Sequence, residues 1–182
     1  VSPVAWFFHS LEKVEKYAEI SAKVTHDHEE GIKGAKATAA AIYLARNGRP
    51  KDYIKRYIEL KYRYDFSKTL DEIRPTYEFD ETCQGTVPVA LQVFFEAESF
   101  EDTLRKAISM GGDSDTLACI TGGIAEAYYG EIPREIFNAA MDKLPESFLY
   151  VLKVFEQGSF YGDRASVVCQ RLDDALSSRR YT

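Results

Sequence analysis

Apolar positions recur three and four residues apart along most of this chain, and nowhere do they alternate with period two over a strand's length. Leu11, Val14, Tyr17 and Ala18, continued by Ser21, follow Ser10, a residue type suited to an N-cap, and predict a first helix. Residues 29–46 carry Ile32, Ala35, Ala39, Ile42 and Tyr43 on one stripe and stop at Asn47-Gly48. Pro50 opens "PKDYIKRYIELKYRYD", whose aromatic and basic residues fall at helical intervals. Residues 65–85, with Pro75, Gly85 and turn-type polar residues, read as loop with at most a short helix. "TVPVALQVFFEA" is apolar nearly all round and predicts a buried helix. Ser99 with Asp102 resembles a capping box, Asp standing in place of Glu, at the head of "FEDTLRKAISM". Thr116–Tyr129 is the next helix and Gly130 its end. Pro133 and Pro145 suit the first turns of two more, and Gly158 stops the second. Residues 163–179 form a last amphipathic segment. The expectation is one all-α domain of about eight helices, without repeat or linker.

Composition narrows the class. The chain has 182 residues, 45% hydrophobic and 29% charged, enough for one domain with a substantial core. No apolar run approaches the roughly 18 residues of a spanning helix, so no membrane role is expected. "VSPVAWFFHSLEK" has neither a basic region nor a small-residue cleavage site and does not read as a signal peptide. A net charge of −6 argues against a nucleic-acid surface that works by counterion release, while leaving room for one anionic ligand held locally. Cys83, Cys119 and Cys169 are odd in number and widely spaced, which fits reduced thiols and a cytoplasmic protein.

The chemistry concentrates in "SMGGDSDTLACITGGIAEAYYG", residues 109–130. Gly111-Gly112 lead into Asp113 and Asp115, one residue apart, and a helix follows. A one-residue gap on a glycine hinge lets a turn point both carboxylates to one side, where their repulsion needs compensation by water, hydrogen bonds or a cation. Two aspartates and the Thr116 hydroxyl suit part of the oxygen sphere of a hard cation such as Mg²⁺. The plainer alternative is that Asp115 or Ser114 caps the helix while Asp113 favours its positive end. Spacing alone leaves both open. An acidic pair at the end of a hydrophobic strand, as in haloacid-dehalogenase phosphatases and many glycosyltransferases, is excluded because "DTLRKAISM" is amphipathic at helical period. An EF-hand is excluded because alternate oxygen ligands and a closing Glu are missing. Gly122-Gly123 within the helix cost on the order of 1–2 kcal/mol against alanine, tolerable where neighbours must approach closely.

That stretch resembles the C-terminal signature of the ADP-ribosylglycohydrolase family. "VTHDHEEGIKGAKATAAAIYLARNG" is similar to the family's Thr-His segment and its following helix, and "TCQGTVPVALQVFFEA" to the loop and helix upstream of the acidic motif. The three blocks stand in family order. The resemblance implies an orthogonal helical bundle and a hydrolase that removes ADP-ribose from modified protein side chains or related small-molecule conjugates. It implies two Mg²⁺ ions per complete site, with Mn²⁺ as a substitute. Asp113, Asp115 and Thr116 would be the late metal ligands, the two aspartates also serving catalysis. His26, Gly111, Gly112 and Ser114 would contact ADP-ribose. The family's earlier Thr-Asp-Asp ligands do not occur in these 182 residues, so the chain is expected to be the C-terminal portion of such a domain, lacking its N-terminal helices. Another chain or segment would then supply the missing ligands. Thr86 in "QGTVP" stands where many members carry Tyr. The rival expectation is a non-catalytic helical module that binds ADP-ribose, a nucleotide or a partner.

Other groups carry less. His26 and His28 form His-x-His without a placed third zinc ligand. A helix-entry hydrogen bonder is the plain alternative for His26, while His28 and His9 read as surface or packing residues. Tyr53, Tyr57, Tyr62 and Tyr64 with Lys55, Arg56, Lys61 and Arg63 read as a core stripe beside a solvated basic face rather than a nucleic-acid surface.

Overall fold

The computed structural model describes residues 1–158 and places a short helix, α1 (Ser2–Phe7), ahead of the first predicted one. Ser10 Oγ accepts the Lys13 amide at 3.3 Å and opens α2 (Leu11–Lys23). α3 (Glu29–Arg46) ends as predicted, with Asn47 at its C-cap and Gly48 at φ +71°. α4 (Lys51–Tyr62) starts after Pro50 and ends at Arg63, which adopts the left-handed conformation at φ 60°. The irregular stretch holds α5 (Leu70–Ile73), closed by a reciprocal Thr69–Glu72 capping box, and a 3₁₀ turn at Arg74–Thr76. α6 (Cys83–Glu96), α7 (Phe100–Ser109) and α8 (Ser114–Tyr129) follow, then α9 (Arg134–Lys143) and α10 (Glu146–Gly158). No strand occurs among the described residues, and none of their helices is long and apolar enough to cross a membrane. The predicted segment 163–179 and Cys169 lie outside the described residues.

The chain divides into two compact units, residues 1–131 and the part from Ile132 onward. In the first, α3 is the hub, packing against α1, α2, α4, α6 and α8. Its run Ala37-Thr38-Ala39-Ala40-Ala41-Ile42 is buried on every side, because methyl-sized side chains let several helices approach its axis at once. α6 is buried almost all round from Thr86 to Phe94, as its composition predicts. The glycine pair of α8 does what its cost suggested. A Cβ at Gly122 would meet Leu104 at 3.3 Å, and one at Gly123 would meet Ser2 Oγ at 3.0 Å and Ile42 at 3.7 Å. On the aromatic stripe of α4, Tyr62 is buried and Tyr57 half-buried, and just past its end Tyr64 is buried too. Arg56, Lys61 and Arg63 face solvent with Tyr53. In the second unit Phe137 and Leu149 pack with Ile132, Met141 and Leu144. An open apolar groove of about 430 Å³, lined by Leu144, Phe148, Val151 and Leu152, contains none of the candidate site residues.

Candidate active site

Three helices set the frame. The Cα of Gly34 faces Cys83 and Val87, near the start of α3 and of α6, since a Cβ there would meet them at 3.1 and 3.2 Å. At the other end Phe94 of α6 and Tyr128 of α8 touch edge to face, their ring centroids 5.3 Å apart. Ile42 of α3 reaches Gly123 of α8. α3, α6 and α8 therefore run in the same direction, and their N-termini share one end of the unit. The positive ends of three helix dipoles and their free amides gather there, a setting that favours carboxylates and phosphates.

The acidic turn sits at that end. Gly111 and Gly112 take φ of +75° and +60°, which turns the chain so that Asp113 becomes the N-cap residue of α8. Its side chain does not cap the helix. It lies beside the Asp115 carboxyl, and interaction with it, then with the amides of Thr116 and of Asp115 itself, holds Asp115 below the usual carboxylate range. The Thr116 amide donates to Asp115 Oδ1 at 3.1 Å. Asp113 and Ser114 are half-buried, whereas Asp115 and Thr116 are exposed. Two carboxylates side by side repel each other unless water, hydrogen bonds or a cation offset their charge. The donor set thus fits a hard divalent ion in kind, through two carboxylates and a hydroxyl, though not in number: no third His, Cys, Asp or Glu joins them among the described residues.

His26 lies in the turn that enters α3, at the same end, exposed, with Nδ1 2.7 Å from the neighbouring Thr25 hydroxyl. No hydrogen bond joins it to the acidic turn among the described residues. The helix-entry bond belongs instead to His28, whose Nδ1 accepts the Glu30 amide at 3.2 Å. The structure thus brings Gly111, Gly112, Asp113, Ser114, Asp115 and Thr116 into one turn and sets His26 apart from it, at the entry of another helix.

One element escaped the sequence reading. The loop Tyr77–Thr82, ahead of α6, lies on the acidic turn. A Cβ at Gly112 would come within 3.0 Å of the Glu78 carbonyl oxygen and 3.1 Å of the Tyr77 ring. The loop is pinned at its far end, where Asp80 Oδ1 accepts the Thr82 amide at 2.7 Å and the Thr86 hydroxyl donates to the Asp80 carbonyl at 2.8 Å. The Asp80 carboxylate also fills the space a Cβ at Gly85 would need. No local pattern announces a contact between residues 77 and 112; the glycines themselves were its only trace.

Comparison with known proteins adds the following. Residues 1–164 match the family described as ADP-ribosylglycohydrolase. An uncharacterized protein of Archaeoglobus fulgidus is 30% identical over 179 residues, covering 85% of this chain and 58% of its own length. Human ADP-ribosylhydrolase ARH3 is 27% identical over 202 residues, covering 86% of this chain and 53% of its own. The ADP-ribosylarginine hydrolase Tri1 of Pseudomonas putida is 28% identical, covering 71% and 37%. The chain spans about half the length of these relatives or less. A solved structure, an ADP-ribosylglycohydrolase-related protein complex, superposes with a TM-score of 0.58 at 19% identity over 96% of this chain and 57% of that one, which shows a shared fold.

Proposed function

The chain belongs to the ADP-ribosylglycohydrolase family, and on that premise we propose that it acts as a hydrolase releasing ADP-ribose from modified protein side chains or related conjugates. The observation that carries the reading is the placement of Asp113 and Asp115 at the N-cap and first turn of α8, on a glycine turn where three helix N-termini gather. In this reading Asp113, Asp115 and Thr116 hold part of a magnesium site, and further ligands come from outside the described residues. When bound, Mg²⁺ would supply positive charge that orients ribose hydroxyls and water. The chain's own groups do the rest. An aspartate oxygen accepts a hydrogen bond from the attacking water and takes up its proton. Water oxygen bonds to the anomeric carbon as the bond to the leaving atom breaks, and the proton taken up by the aspartate passes to that atom. The negative carboxylates stabilise positive charge building on the sugar. The backbone of Gly111 and Gly112 is exposed and bare of side chains, so a ligand can approach it closely, although the Gly111 amide itself donates to the Ile108 carbonyl at 3.2 Å. The diphosphate of ADP-ribose suits the gathered helix N-termini. His26, at the entry of α3, is the proposed contact to the same ligand.

One observation favours a second reading, a binding module without turnover: the described residues gather only two of the carboxylates a binuclear site requires. Calorimetry separates the two. Saturable ADP-ribose binding that needs Mg²⁺ and disappears in D113A/D115A supports the hydrolase site. Binding indifferent to both Mg²⁺ and the two aspartates supports the module.

A further inference from the structure

Tyr77 holds an anomaly beside the acidic turn. Its hydroxyl is buried and has no hydrogen-bond partner among the described residues. The ring is not misplaced: it packs with the core cluster of Leu70, Val89, Ala90, Val93 and Leu117 and lies against the Cα of Gly112. A buried hydroxyl without an acceptor is costly, so one that is kept has a use the resting arrangement does not display. The two carboxylates nearest in the chain path are Asp113, which follows Gly112 directly, and Asp80, three residues along the same loop. Burial first, then their negative charges, push the Tyr77 pKa upward.

Of these two acceptors, Asp80 is already committed to the Thr82 amide and seated on Gly85. Asp113 is not: its carboxyl caps no helix, and among the described residues it interacts with that of Asp115 alone. Asp113 and Asp115 would hold a divalent ion, which would offset their repulsion, and an Asp113 oxygen would remain free to accept from a neighbour. Groups that metal ligands bond to outside the ion fix ligand orientation and strengthen binding. We propose that Tyr77 is the positioning residue of the acidic turn, its hydroxyl donating to Asp113 and holding the rotamer in which both aspartates face one cation. This inference rests on the reading that Asp113 and Asp115 bind a divalent ion. It also gives the Gly112 contact a purpose, since only a residue without Cβ lets the Tyr77 ring lie that close beneath the turn.

The test is a Mn²⁺ titration of the full chain followed by electron paramagnetic resonance, with thermal unfolding of the metal-free protein beside it. Tyr77→Phe keeps the ring and removes the donor. It should weaken Mn²⁺ binding by about 10–100-fold while the metal-free melting temperature stays level or rises, because an unpaired buried hydroxyl has gone. Asp80→Asn should leave the affinity alone. Mn²⁺ affinity of Y77F within twofold of the parent overturns the proposal. So does a metal-free Y77F that melts lower, which gives the hydroxyl a structural partner, or a D80N that weakens binding as Y77F does. A parent chain with no Mn²⁺ site, or a D113A variant as tight as the parent, refutes the underlying metal reading instead.

Discussion

Gly111 and Gly112 make an internal control for how the acidic turn is built. Both adopt left-handed φ, +75° and +60°, so replacing either by alanine incurs a backbone penalty of about 1–2 kcal/mol. Around Gly111 a Cβ would meet nothing within 4 Å, and the backbone penalty is the whole effect. At Gly112 a Cβ would stand 3.0 Å from the Glu78 carbonyl oxygen, 3.2 Å from its carbon and 3.1 Å from the Tyr77 ring. Two of those atoms are main chain in a loop pinned by Asp80 and Thr86, so they cannot swing aside as a lysine end would. Overpacking of that kind adds about 1–3 kcal/mol. Gly112→Ala should therefore destabilise by about 2–5 kcal/mol and Gly111→Ala by about 1–2 kcal/mol. Urea unfolding followed by circular dichroism measures the two, and equal m-values license comparing their midpoints. Limited proteolysis within Glu78–Glu81 should also quicken in G112A and not in G111A. Equal midpoints for the two variants would refute the claim that the loop is latched to the acidic turn.

Glu15 joins α2 to α4 through Tyr57, Tyr62 and Lys61, whose atoms lie 2.7, 2.6 and 2.5 Å from its carboxylate. Glu15→Ala orphans the buried Tyr62 hydroxyl, while Tyr57 keeps the Lys61 ammonium at 2.9 Å, and should cost about 1–3 kcal/mol, read as a lower urea midpoint. Burial alone would raise the pKa of Glu15, but the bonds from Lys61, Tyr62 and Tyr57 outweigh it and the net direction is down. Its stabilisation is then complete above the ordinary value of 4.5 and is lost as pH falls through its own lower one. Glu15→Gln should flatten that acid limb; an unchanged slope contradicts the assignment. Lys51 donates to the carbonyls of Phe95 and Ala97 and to the Tyr129 hydroxyl, with Phe94, Tyr128 and Tyr129 around its ammonium. Burial pushes its pKa down to about 8. Between about 8 and the ordinary 10.5 the unfolded chain holds the proton more tightly, so this group's contribution to stability rises with pH across that window. An NMR titration of the Lys51 ε-carbon should show a midpoint near 8, and one at the ordinary value would refute the burial argument.

Elements with a full period or strong punctuation were legible in the sequence. α3 begins and ends at its predicted residues because a polar turn precedes it and Asn47-Gly48 closes it. α1 went unforeseen, since six residues give too little of a period to recognise. The Thr69–Glu72 box was written in the chain, but four helical residues carry no stripe to draw the eye. At α7 the Ser99 cap is as expected, whereas Asp102 reaches the Glu98 amide at 2.9 Å rather than that of Ser99. Asp is one methylene shorter than the Glu of a full box, so its reach differs. In the acidic turn, the two glycines conveyed where the chain reverses: both take left-handed φ, and Asp113 becomes the N-cap residue of α8. The Tyr77 loop and the parallel run of α3, α6 and α8 did not show, because contacts between residues far apart in sequence leave no local period.

The central claim is that Asp113 and Asp115 serve ADP-ribosyl hydrolysis with a divalent ion. Its most direct measurement is release of ADP-ribose from ADP-ribosylated peptides of arginine and serine linkage, with Mg²⁺ and with a chelator, by the parent and by D113A/D115A. The account predicts release that requires Mg²⁺ and is lost in the double variant while its helical content is unchanged. Release that persists at parent rates in the double variant, or undiminished in the chelator, would contradict it.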